Sequence, residues 1–164
     1  MLKISYPYIP EGRDILYVEA SNLYMAVARA FAKQNSLDAV MPGAAVVVKN
    51  NIVIGVGASG SDYHKTHTCK RVVLGCKSGE GYELCEGCHP KNHSEPSAIK
   101  DALARGNDTR GANLYLWGHW WCCKPCWDAM TEAGINTVFL LKNSEVLFNK
   151  ENPDNIVGKQ FELA

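Results

Sequence analysis

The sequence predicts an α/β domain built on a mixed sheet of about five strands, and three patterns predict it. The β-branched runs "AAVVVKN" and "NIVIGVG" meet at Asn50-Asn51 as a hairpin would. Further on, a helix-spaced segment lies between two apolar runs, as in a strand–helix–strand crossover. Of the 164 residues, 46% are hydrophobic, enough for one compact core and too few for two. A single domain over residues 1–164 is therefore expected.

The elements follow in chain order. The opening "MLKISYPYIPEGRDILY" has no apolar run of signal-peptide length and is interrupted by proline, so export is not expected. Ser21 or Asn22 can cap "LYMAVARAFAKQ", where Leu23, Val27, Ala30 and Phe31 recur at helical spacing. The hairpin comes next, because Asn50 and Asn51 tolerate the positive φ of a tight turn. From Ala58 to Asn92 runs a long Cys- and His-rich loop with no strong periodicity. Such a loop in a compact domain is functional, or is held by something other than apolar burial. A helix is predicted from Glu95 through Ala104, stopping near Gly106. "ANLYLWG" then reads as a strand, "CKPCWDAMTEAG" as a helix ending at Gly134, and "NTVFLL" as a strand parallel to the previous one. "EVLFN" is assigned as a last strand and "NPDNIVGKQFELA" as a tail or short helix.

Charge and cysteine content narrow the function classes. Seventeen Lys and Arg balance seventeen Asp and Glu, so no global field draws the chain to nucleic acid or anionic lipid. The most apolar stretch is split by Lys49, Asn50 and Asn51, which excludes a membrane span there. A soluble cytoplasmic protein is expected. Its seven cysteines, an odd number, then serve metal binding or catalysis rather than a disulfide framework.

Cys123 and Cys126 lie at the start of a predicted helix, spaced so that both thiolates face one side. A helix N-terminus favours thiolate over thiol, and Pro125 is harmless in a first turn. If the helix that follows His93 lies alongside, one imidazole and two thiolates meet. Three protein ligands leave a tetrahedral zinc ion with an open position, the mark of a catalytic site. Glu95, beside the metal but not a ligand, can then move a proton from water to a leaving amine. His-x-Glu followed by Pro-Cys-x-x-Cys is the recognised signature of zinc nucleobase deaminases.

At these residues the chain resembles the cytidine and deoxycytidylate deaminase superfamily, most nearly its deoxycytidylate (dCMP) deaminase branch. The resemblance runs through "ASNLYMAVARAFAKQ", "PGAAVVVKNNIVIGVG", "HSEPSAIKDAL", "GANLYLW" and "CKPCWDAMTEAGINTVFLL", from about Ala20 to Leu141. It implies a three-layer α/β/α fold, catalytic zinc on His93, Cys123 and Cys126, and Glu95 as the proton carrier. It also implies a homo-oligomer. The family's proline before the first cysteine ligand is Cys122 here, so Cys122 is an alternative ligand, though Cys-x-x-Cys spacing favours Cys123. Ser94, Ser97 and Ser59 also replace residues usual in the family's pocket.

Outside that signature, Cys69, Cys76, Cys85 and Cys88, with His64, His67 and His89 nearby, offer ligands for a second, structural zinc that replaces the loop's missing core. Many deoxycytidylate deaminases resemble this in carrying a second zinc. The alternative is a set of ordinary reduced cysteines. Candidate substrate contacts are Ser59, Gly60, Ser94, Trp120 and Trp121, with Trp117 and Trp127 divided between core and stacking roles. His119 is a pocket or strand-end residue. Lys65, Lys70, Arg71 and Lys77 form a local basic excess suited to phosphate. The leading expectation is hydrolytic deamination of a cytosine-type free nucleotide, dCMP to dUMP and ammonia. Two readings compete: a deaminase of single-stranded nucleic acid, disfavoured by the neutral charge, and a non-catalytic, zinc-stapled interaction module.

Overall fold

The computed structural model describes residues 7–163. The parts of the leading segment and of the expected domain span that fall on residues 1–6 and 164 lie outside them. The strands are β1 (Ile15–Val18), β2 (Ala44–Lys49), β3 (Ile52–Ala58), β4 (Asn113–Trp117) and β5 (Thr137–Leu141). They form one five-stranded sheet in the order β1-β5-β4-β2-β3. β1, β5 and β4 are parallel neighbours, while β2 runs antiparallel to both β4 and β3. The longer helices are α1 (Leu23–Asn35), α4 (Ser94–Ala104) and α5 (Lys124–Glu132). Short helices α2 (Tyr63–Thr66), α3 (Lys70–Val73), α6 (Ser144–Phe148) and α7 (Gln160–Leu163) complete the chain.

The three-layer α/β/α arrangement is the predicted one, and strand alternation builds it. Ala45, Val47, Leu114, Leu116, Val138 and Leu140 face α4 and α5. Their neighbours Val46, Val48, Tyr115, Trp117 and Leu141 face α1 and Phe148. Successive side chains on a strand point to opposite faces, so each central strand feeds both cores. Asn50 and Asn51 both take positive φ, 52° and 60°, and close the predicted hairpin.

Two sequence expectations are corrected. "EVLFN" is not a strand but the helix α6. Asn143 turns the chain at φ 64°, its carbonyl accepts the Val146 and Leu147 N–H groups, and Phe148 packs edge-on against Trp117 at 5.2 Å. The fifth strand is instead Ile15–Val18, at the end of the proline-interrupted opening, where no element is expected; a four-residue edge strand carries too little alternation to stand out. The α1 helix is where the spacing puts it, and Asn22 is its cap, accepting the Tyr24 and Met25 N–H groups. Its buried stripe, however, is Met25, Ala28 and Ala32, while Leu23 and Ala30 are exposed. Small residues let the helix axis approach the sheet closely.

On the opposite face, α4 lies against the backbone of β3. A Cβ at Gly55 would sit 2.5 Å from the Ala98 carbonyl oxygen, and one at Gly57 only 2.2 Å from the Ala98 nitrogen. The helix also covers the edge strand: Asp101 accepts the Val56 N–H at 2.8 Å, and Asn107, just past the helix, donates to the Ile54 carbonyl at 2.9 Å. Because α4 begins directly after His93, this contact sets where that imidazole stands. Among the described residues, no helix is long and apolar enough to cross a membrane.

Replacing Gly57 by Ala drives a methyl into helix backbone that has no room to yield. We expect about 1–3 kcal/mol loss of stability in chemical denaturation, with reduced metal retention, because α4 must shift to accommodate it.

Candidate active site

Two helix N-termini meet at one end of the sheet. His93 is the N-cap residue of α4 and Cys123 that of α5, with Pro125 in the first turn of α5. The His93 Nδ1 lies 3.4 Å from both Cys123 Sγ and Cys126 Sγ, and the two sulfurs are 3.0 Å apart. This is a compact triangle of one nitrogen and two sulfur donors, placed as a metal ion requires. The Cys123 thiol is held down to about 5 by its hydrogen bond with Cys126, and by His93, against the opposing effect of burial. It is therefore poised as thiolate.

Glu95 sits in the first turn of α4, buried, and burial together with the Cys123 charge raises its carboxyl above the ordinary range. A carboxyl so placed gives up its proton less readily than an exposed one, which suits a group that takes and returns a proton. Cys122 stands outside the donor triangle. Its thiol is fully buried beside Glu95, pushed up by burial and by that carboxylate. The loop geometry thus presents Cys123, and not Cys122, to His93.

A cavity of about 440 Å³ opens onto these groups. Of the five sequence-derived contact candidates, Ser59, Gly60, Ser94 and Trp121 line it. The Ser59 hydroxyl is spent on bracing the rim: it accepts the Gly43 N–H at 3.0 Å and pairs with the Ser36 hydroxyl, also at 3.0 Å. Gly60 adopts φ 96°, and a Cβ there would meet the Asp38 nitrogen at 2.6 Å. Trp120 is the exception. It does not line the cavity but stacks behind His119, rings parallel at 4.6 Å. His119 takes the wall position. Trp127 is pure core, its indole donating to the Tyr8 carbonyl.

Of the basic residues in the long loop, Arg71 alone reaches the cavity; Lys65 pairs with Asp62 and Lys77 with Glu151. Lys150, from the segment after α6, also lines it. Nothing in the local pattern around Lys150 marks it, because only the packing of α6 brings that segment to the site.

The same loop gathers a second donor cluster of His64, Cys69, Cys85 and Cys88. His64 Nε2 is 3.1 Å from Cys85 Sγ and 3.9 Å from Cys88 Sγ, and Cys69 and Cys88 sulfurs are 3.7 Å apart. Gly87 makes the approach possible, since a Cβ there would lie 2.7 Å from His64 Nε2. Cys76, expected among the donors, is displaced by His64. Its sulfur follows the Gly75 turn after α3 and points to Gly81, 3.1 Å from where a Cβ would be. Tyr82 links the clusters, its ring edge-on to His93 at 4.9 Å and covered by the Arg71 guanidinium at 4.5 Å.

Residues 18–142 match the family model described as the cytidine and deoxycytidylate deaminase zinc-binding region. No curated protein matches the chain. Among solved structures, the chain is similar to a diaminohydroxyphosphoribosylaminopyrimidine deaminase/5-amino-6-(5-phosphoribosylamino)uracil reductase from Thermotoga maritima. That match is 26% identical, with a TM-score of 0.43, and covers 71% of this chain but only 28% of the length of that one. It is also similar to the dCMP deaminase of cyanophage S-TIM5, at 21% identity over 71% of this chain and 78% of that one, with a TM-score of 0.47. A guanine deaminase from Bacillus subtilis matches at 20% identity over 71% of this chain and 60% of that one, with a TM-score of 0.44.

One electrostatic consequence is directly measurable. Burial, reinforced by the nearby His93, pushes His119 down to about 3, so the folded protein keeps this imidazole neutral where an unfolded chain would protonate it near 6.5. The unfolded state then binds more protons between those values, and the stability that this residue contributes falls as pH drops through 6.5. Ring ¹⁵N shifts of His119 should remain those of a neutral imidazole from about pH 5 to 8.

Proposed function

This chain belongs to the cytidine and deoxycytidylate deaminase family, and from that premise we propose that it hydrolytically deaminates a cytosine-type free nucleotide, dCMP being the first candidate. The observation that carries the reading is the buried carboxyl of Glu95 beside a nitrogen–sulfur–sulfur donor triangle at the floor of a ligand-sized cavity. The donor set suits zinc, since two thiolates and one imidazole leave a tetrahedral ion one position short. His93, Cys123 and Cys126 would hold the ion, which would supply the Lewis acidity that makes water a nucleophile at neutral pH.

The rest falls to the chain's own groups. Glu95 accepts a proton from the attacking water, delivers it to the ring nitrogen beside the amine-bearing carbon, and then carries the remaining proton of the added hydroxyl to the departing amine. Water's oxygen stays on the ring as carbonyl and ammonia leaves. Trp121 and Trp117 wall the cavity and limit competing water. Arg71 and Lys150 at the same cavity supply positive charge suited to a phosphate, which supports a nucleotide over a free base. The balanced charge of the chain supports a small substrate over a polymer.

We assign the second donor cluster, His64, Cys69, Cys85 and Cys88, to a structural zinc. Four protein donors close a tetrahedral shell, and the loop around them has no apolar core of its own. A homo-oligomer and a cytoplasmic location remain part of the proposal, drawn from the family and from the reduced cysteines.

Ammonia release should be followed with the zinc-loaded protein over a panel of cytosine, adenine and guanine bases, nucleosides and nucleotides. Glu95→Gln should cut kcat by roughly 10²–10⁴-fold with metal content unchanged; a variant that keeps most of its activity removes Glu95 from the reaction. Metal analysis tests the second cluster. Cys85→Ser should lose about one zinc equivalent and melt at lower temperature, whereas Cys76→Ser should keep the full complement.

A further inference from the structure

We propose that His119 is the base-reading residue of the cavity, donating its Nε2 proton to the carbonyl oxygen of a 4-amino-2-oxopyrimidine ring. The inference rests on the deaminase reading and deepens it by naming the ring type.

The imidazole is built to offer one donor. Gly118, at φ 103° and with no space for a Cβ within 2.3 Å of the Pro42 carbonyl oxygen, turns the chain from β4 into the cavity wall. His119 Nδ1 then accepts the Trp121 N–H at 3.3 Å, so it carries no proton, and the proton of the neutral ring resides on Nε2. Trp120 stacks parallel behind the ring and Trp121 stands perpendicular to it at 4.5 Å, which removes its freedom to turn. Nε2 has no hydrogen-bond partner among the described residues, and the ring lines the cavity. A ring held down to about 3 stays in this donor state throughout the physiological range.

The chemistry selects the acceptor. Reaction engages the amine-bearing carbon and the ring nitrogen beside it, which Glu95 serves. On that edge the next ring position of a 4-amino-2-oxopyrimidine is a carbonyl, a strong acceptor. In a 6-aminopurine it is C–H, which leaves a desolvated donor unpaired. Two other polar wall groups are already engaged: Ser59 with Gly43 and Ser36, and the Arg71 Nε and one terminal nitrogen with the Glu80 and Lys77 carbonyls.

Calorimetric titration of the zinc-loaded protein with two monophosphates tests this without turnover. The pyrimidin-2-one nucleotide keeps the carbonyl and lacks the amine, and the unsubstituted purine nucleotide presents C–H at that edge. Wild type should bind the pyrimidinone about tenfold more tightly than the purine. His119→Phe, which keeps the stack on Trp120, should erase that preference, and His119→Gln, which keeps an N–H donor, should retain most of it. Equal binding of both nucleotides by wild type, no binding of the pyrimidinone, or an undiminished preference in His119→Phe overturns the assignment. The wild-type comparison stands even if the Phe variant does not fold. Cytosine-nucleotide turnover measured in parallel separates the two readings: preference without turnover refutes the deaminase alone, and turnover without preference refutes the role of His119 alone.

Discussion

The close approach of α4 to β3 is the contact on which the rest of the site depends. Gly55 and Gly57 remove the side chains that would hold the helix away, and Ala98 and Ala102 present the matching small surface. Interiors packed to crystal density do not absorb a displaced helix smoothly. The contact therefore sets the position of His93 and Glu95 at the head of the helix to a precision that loops alone do not provide. α5 meets the same end of the sheet because its crossover joins two parallel strands, which must begin and end together.

Burial is the second constraint, and it acts through charge. Glu95, Cys122, Cys123 and Cys126 are all buried within one small volume, where each ionised form raises the cost of the next. A divalent cation relieves that conflict for the thiolates. Cys122 has no share in it and stays a thiol against the carboxyl. The neutral His119 follows the same logic, since a positive ring is costly in a wall of tryptophan beside a site built for a cation.

The long loop is organised by donors instead of apolar packing. Its short helices bury no residue, and Val72, Val73 and Leu74 stand exposed. What converges there is the His64, Cys69, Cys85 and Cys88 cluster, with Asn92 tying the Glu86 and Gly87 carbonyls to the chain just ahead of His93. Through Tyr82 and Asn92, order in this loop reaches the donor triangle itself.

Features whose signal is local were legible in the sequence. The hairpin needed only two asparagines able to take positive φ, the crossover needed only periodicity, and the Cys-x-x-Cys spacing put two sulfurs on one face of one helix turn. Features that compare distant residues were not. The edge strand at Ile15–Val18 is defined by pairing with β5 from the far end of the chain, and α6 took a strand-like segment because that edge was already filled. His64 displaced Cys76 from the second cluster, and His119 displaced Trp120 from the cavity wall, for one reason. Composition names the donors and rings available, but the turns at Gly75 and Gly118 decide which of them face inward, and only the folded chain fixes those directions.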